Sequence, residues 1–172
     1  ELKKTNHEDK LDTQQFWKIR KKVSPTSKDT PSVMMDSHGN ILTSNKAISE
    51  VSVGWHIEHS LLVIKQITAT VAQSEPKLYK SKFNVKRFVV FLTKIIPRGK
   101  AKAPKVVIPS EEITVDSLQE SLKNTYQAIT YLKDCETNQY FMHPFFGQLN
   151  KKQTIKFLAI HTKHHLKIIR DI

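Results

Sequence analysis

The stretch VGWHIEHSLLVIKQITATVAQ, residues 53–73, decides how the rest of the chain is read. Its apolar residues recur every three to four positions, the period of an α-helix. Trp55, His59, Leu62 and Gln66 fall on one face, and His56, His59, Val63, Ile67 and Val71 on the adjacent stripe. A helix that carries histidines on an apolar stripe has to give them partners, because an unpaired polar group in a core is costly.

Working outward, three more segments read as helices. LYKSKFNVKRFVVFLTKII, residues 78–96, follows Pro76 and is closed by Pro97 and Gly99. TVDSLQESLKNTYQAITYLKD, 114–134, brings Leu118, Leu122, Thr125, Ile129 and Leu132 into register. Asp116 in its first turn suits the positive end of the helix dipole. KKQTIKFLAIHTKHHLKIIRDI, 151–172, follows Asn150, which can cap free backbone N–H groups, with Gln153 at capping-box spacing. PRGKAKAPKVVIPS, 97–110, carries three prolines and reads as an irregular connection, and FMHPFFGQL, 141–149, reads as a compact loop broken by Pro144 and Gly147.

Four helices, short or proline-bounded connections and few strand signals predict an all-α protein, an antiparallel four-helix bundle over 52–172. Residues 1–51 form an atypical N-terminal segment. It holds one short amphipathic helix, LDTQQFWKIRKK at 11–22, then the turn material SPTSKDTPS, and a small hairpin in VMMDSHGNILTS at 33–44.

The 172 residues are enough for one domain with a real core. No apolar run approaches the roughly 20 residues of a membrane span, so no membrane partner is expected. The start, ELKKTNHEDK, lacks the apolar core of a signal peptide, and a first residue other than Met fits a fragment or a processed product. A single cysteine, Cys135, excludes an internal disulfide framework and fits a reducing cytoplasm. The net charge of +12 is uneven, with 9 Lys/Arg against 7 Asp/Glu in residues 1–51 and 19 against 9 in 52–172. Much of the excess lies in 77–105. Such a stretch can meet phosphates or an acidic membrane surface, but a solvated face is the commoner meaning of a charge run. Nucleic acid is allowed and not favoured, because no nucleic-acid fold signature accompanies the charge.

Most of the chemistry lies in the histidines. His161 and His165 are four residues apart, so both imidazoles stand on one helix face about a turn apart and can reach one metal ion. They continue the stripe Phe157–His161–His165–Ile168. A third ligand has to come from another element, and GWHIEHSLL offers His56 and His59. Three nitrogens with open positions make a catalytic rather than a closed structural site. The competing use of the same residues is a buried hydrogen-bond network. His164 points away from His161, and His143 beside Pro144 can be a loop packing residue. His7 and His38 lie in polar segments.

WHIEHS, HPFFGQL and the terminal HTKHHLK, in that order, resemble the DinB-like superfamily of metalloenzymes, in a branch with a His-Pro-Phe-Phe-Gly loop before its last helix. The resemblance covers about 52–172. It implies an up-down-down-up four-helix bundle and a divalent metal, zinc or nickel, held by His56, His161 and His165. His59 falls where that family often has Asp, which leaves His56 and His59 as alternatives for the third ligand. His59, His164 and His143 then become candidates for orienting ligands or moving protons. The resemblance further implies a small-molecule substrate and a thiol transferase or isomerase that uses a low-molecular-weight thiol, and it allows a homodimer. Residues 1–51 do not fit it. They resemble the linker before the reverse transcriptase of LINE-type retroelements, over a short stretch without a catalytic motif. Two rival functions follow. One is a non-catalytic interaction module with structural histidines. The other is a nucleic-acid-associated fragment that uses Lys100, Lys102 and Lys105.

Overall fold

The computed structural model describes residues 41–99, 102–109 and 112–172. The short helix expected at 11–22, His7 and His38 lie outside the described residues. Of the hairpin expected at 33–44, only the end is described, and Ile41 and Leu42 there are helical.

Helix α1, Val53–Ala72, opens on Ser52, whose side chain accepts from the Trp55 N–H. Helix α2 is Val85–Thr93 and α3 is Val115–Asp134. Strands β1, Tyr140–His143, and β2, Gly147–Asn150, pair antiparallel and lead directly into α4, Lys151–Asp171. Short 3-10 turns cover Pro76–Leu78 and Lys105–Val107. Asn150 caps α4 with a reciprocal Gln153 contact, as its sequence requires, and Thr114 caps α3 in the same way with Ser117.

Two of the expectations are corrected. The segment at 78–96 is helical only from Val85, because Asn84 caps there by accepting from the Arg87 N–H. Residues before it are held otherwise: the Lys80 N–H donates to Gln148 Oε1, and Gln148 Nε2 donates to the Leu78 carbonyl. Lys94 then ends α2 with φ 56° in the left-handed region. The segment FMHPFFGQL is a β-hairpin, so the protein is mostly helical with a small sheet rather than purely α. Phe141 pairs with Leu149 and both are buried. Gly147 takes φ +70° at the end of a three-residue loop, a conformation a side chain resists. His143 Nδ1 accepts from the Phe145 and Phe146 N–H groups at 3.1 and 3.2 Å, and so folds the turn.

α1 is the central element, packed on α3, α4, β1 and the Lys105–Val107 turn. Two apolar clusters result. One joins Val63, Ile64 and Val71 of α1 to Leu132, Phe141, Leu149 and Phe157. The other joins Val53, Ile57 and Leu61 to Ile41, Leu118, Leu122, Leu166 and Ile169. The C-terminal half of α1 thus meets the N-terminal half of α4, and the reverse, so these helices run antiparallel, while α3 runs with α1. Ile41, ahead of the helical unit read from the sequence, is part of its core. Between the clusters, α1 contributes His56 and His59 and α4 contributes His161 and His165.

A candidate metal centre of histidines

His59, His161 and His165 each offer a ring nitrogen, and the three atoms lie within 4.8 Å of one another. The helices set this up. His161 and His165 are one turn apart on α4, with their Nε2 atoms 3.3 Å apart. Two nitrogens bound tetrahedrally at a Zn–N distance of about 2.0–2.1 Å stand roughly 3.3–3.4 Å apart. His59 comes from the facing side of α1, its ring centroid 5.3 Å from His161 and 4.8 Å from His165.

A hydrogen bond to a backbone carbonyl fixes which His59 nitrogen is free, and the contacts of the other rings are compatible with a ligating tautomer. His59 Nδ1 lies 2.8 Å from the Val107 carbonyl, which can only accept. Nδ1 therefore carries the proton, and Nε2 keeps its lone pair for the cluster. His165 Nδ1 stands 2.9 Å from His56 Nδ1, and His56 Nε2 stands 2.9 Å from Ser49 Oγ. When His165 Nε2 serves as a ligand, its Nδ1–H donates to His56, and His56 Nε2–H donates to Ser49. Metal-binding histidines are ordinarily held by such a second hydrogen bond.

The ring nitrogen that lies together with those of His161 and His165 is thus His59's. Both His56 nitrogens are engaged, one by Ser49 and one by His165, and its geometry suits orienting His165. His164 lies beside the cluster, edge-on to His165 at 5.2 Å and held by the Ile96 backbone. His143 lies beyond Phe157, stacked on Phe146 at 4.2 Å, and shapes the hairpin turn.

Burial holds these imidazoles neutral. It lowers His56 to about 4 and His161 to about 3, with His59 and His164 adding repulsion in both cases. His165 is lowered further, by burial and then by His161 and His59. Burial also lowers His59, against the opposing pull of the Val107 hydrogen bond, and His164. Besides burial, protonation of His56, His161, His164 or His165 is opposed by its neighbouring imidazoles and, at His56 and His164, by the Arg98 guanidinium. Three neutral nitrogens would leave a bound divalent cation its full charge, the condition for strong Lewis acidity. The donor set therefore fits such an ion.

Two contributors have no signature in the sequence, whereas Trp55 shares a helix face with His59 at i,i+4 spacing. Trp55 stacks on His59 at 4.8 Å with the rings 15° from parallel. Ser49 and the Val107 carbonyl come from a loop and a 3-10 turn. The notable spacing of HxxxH could not point to them.

Comparison with known proteins identifies the family. The family model described as "Protein of unknown function (DUF1569)" matches residues 45–171, and the chain belongs to that family. No curated protein and no solved structure matches it.

Proposed function

We propose that this DUF1569 chain is a divalent-metal-dependent enzyme of the DinB-like class, acting as a transferase or isomerase on a small molecule with a low-molecular-weight thiol as co-substrate. The observation that carries the proposal is the hydrogen bond from His59 Nδ1 to the Val107 carbonyl, which turns a lone-pair nitrogen toward the two nitrogens of α4. The parallel run of α1 and α3, with α4 antiparallel, supports an up-down-down-up bundle. These would be its last three helices, and the helical Ile41–Leu42 stands where the first would end.

His59, His161 and His165 would hold zinc or nickel, both of which accept imidazole. The bound ion would supply Lewis acidity, lowering the pKa of a thiol or water in an open position. His56 holds His165 in the ligating tautomer, with Ser49 behind it. Trp55 covers the His59 ring and limits water on that side. His164, edge-on to His165 at 5.2 Å, would be the residue that moves a proton, and Arg98 beside it would favour an anionic ligand.

The test uses cobalt(II) in place of the native ion. The full chain loaded with cobalt should show the intense visible bands of a four- or five-coordinate nitrogen site. Adding glutathione or cysteine should then produce a thiolate-to-metal charge-transfer band. A cobalt spectrum that no thiol alters removes the thiol-dependent function.

The specific observation that favours a non-catalytic module is that these imidazoles can also satisfy one another. His161 Nε2–H can donate to His165 Nε2 while His165 Nδ1–H donates to His56. A folded chain that takes up no metal would select that alternative.

A further inference from the structure

Helix α2 wears its apolar stripe on the outside. Val85, Phe88, Val89 and Leu92 follow the spacing of one helix face and are 64, 55, 48 and 69% exposed. Phe83 and Ile95 extend the row beyond both ends of the helix, also exposed. The opposite side fastens α2 to the protein: Val90 and Phe91 pack on the core, and Arg87 donates to the Phe146 and Gln148 carbonyls. Phe145 of the hairpin loop is exposed beside the row, under the Lys86 ammonium at 5.7 Å. A contiguous apolar surface rimmed by polar groups marks an interaction site.

Charge narrows the occupant. Residues 76–110 contain ten Lys/Arg and no Asp or Glu. Exposed Lys80, Lys82 and Lys86 lie toward one end of α2, and Lys94 and Arg98 toward the other. Asp171 is the carboxylate at this edge, paired with Arg98 at 2.5 Å. A second copy docking by two-fold symmetry would bring the same cations face to face. The amphipathic stretch at 11–22 is itself basic, with Lys18, Arg20, Lys21 and Lys22 against Asp12. Nucleic acid would engage the cations but has no use for exposed Val85, Val89 and Leu92. An anionic bilayer takes both features, apolar side chains below the headgroups and lysines among the phosphates.

We propose that α2 and its flanks, residues 83–95, form a peripheral docking surface for an anionic lipid membrane. The stripe Val85–Phe88–Val89–Leu92 enters the interface and the surrounding lysines contact the headgroups. The nine residues of α2 lie in the interface plane and do not span it. The docking does not depend on the metal centre.

Co-flotation of the full chain with vesicles of phosphatidylcholine, with and without phosphatidylserine, tests this. The chain should float with the phosphatidylserine vesicles and much less with the neutral ones. Phe88→Glu combined with Leu92→Glu, both at exposed positions, should weaken binding roughly tenfold or more while circular dichroism stays unchanged. Lys82→Glu combined with Lys86→Glu should weaken it and flatten its salt dependence. A folded chain that ignores phosphatidylserine vesicles overturns the proposal. So does undiminished binding by the Phe88→Glu/Leu92→Glu variant. A dimer in sedimentation equilibrium that the same variant dissolves would place a second copy on the stripe instead.

Discussion

The Nδ1 atoms of His56 and His165 stand 2.9 Å apart, and only one of them can carry the shared proton. If His165 ligates through Nε2, the proton sits on His165 and His56 is the acceptor. His56 is then a positioning residue. His56→Phe, which keeps a ring in the space, should retain the metal site but weaken its affinity roughly 10–100-fold. Competition with a chromophoric chelator measures this. Unchanged affinity would remove His56 from any such role.

The lowered histidine pKa values make the metal-free protein sensitive to acid. A histidine whose folded pKa lies below its unfolded value of about 6.5 stabilises the fold above that pH. The contribution fades as pH falls, through about 4 for His56 and about 3 for His161. His56 alone, 4% exposed, accounts for on the order of 3 kcal/mol across that window. Urea midpoints of the metal-free chain should therefore drop steadily below about pH 6.5. A flat profile from pH 7 to 4 would mean the rings are not buried as described.

Much of this site was legible before the structure, and the reasons are physical. The 3–4 periodicity and the Asn150–Gln153 cap located α1, α3 and α4 closely, because capping and burial are recorded in neighbouring residues. HxxxH put His161 and His165 on one face for the same reason. The choice between His56 and His59 was not local. They sit three apart on one helix, and the Val107 carbonyl that engages His59 Nδ1 arrives from a proline-rich connection. The hairpin was hidden because Pro144 and Gly147 read as breakers, while the contact that closes the turn is a histidine ring accepting two backbone N–H groups. α2 came out too long because Leu78 and Lys80 are held by Gln148, a partner 68 residues or more away.

His143 should matter to the hairpin and not to the metal. His143→Phe keeps the stack on Phe146 but leaves the Phe145 and Phe146 N–H groups without their acceptor. A loss of about 1–3 kcal/mol in denaturant unfolding is expected, with metal stoichiometry unchanged. Loss of metal in a folded variant would instead draw His143 into the site.

Gly54 tests the packing of residue 41 against α1. Glycine to alanine inside a helix ordinarily stabilises by roughly 1 kcal/mol. Here a Cβ would lie 2.9 Å from the Ile41 carbonyl oxygen and 3.3 Å from Ile41 Cβ. Gly54→Ala should therefore destabilise, by about 1–3 kcal/mol. A stabilised variant in urea unfolding would show that Ile41 does not pack there.

The metal centre itself is tested most directly by elemental mass spectrometry of untagged protein. The intact chain, His59→Ala and His56→Phe would each be offered excess zinc and nickel, then freed of unbound ion. The intact chain and His56→Phe should hold about one ion per chain, and a folded His59→Ala none. A folded intact chain without metal, or metal kept by His59→Ala and lost by His56→Phe, would contradict a site built from His59, His161 and His165.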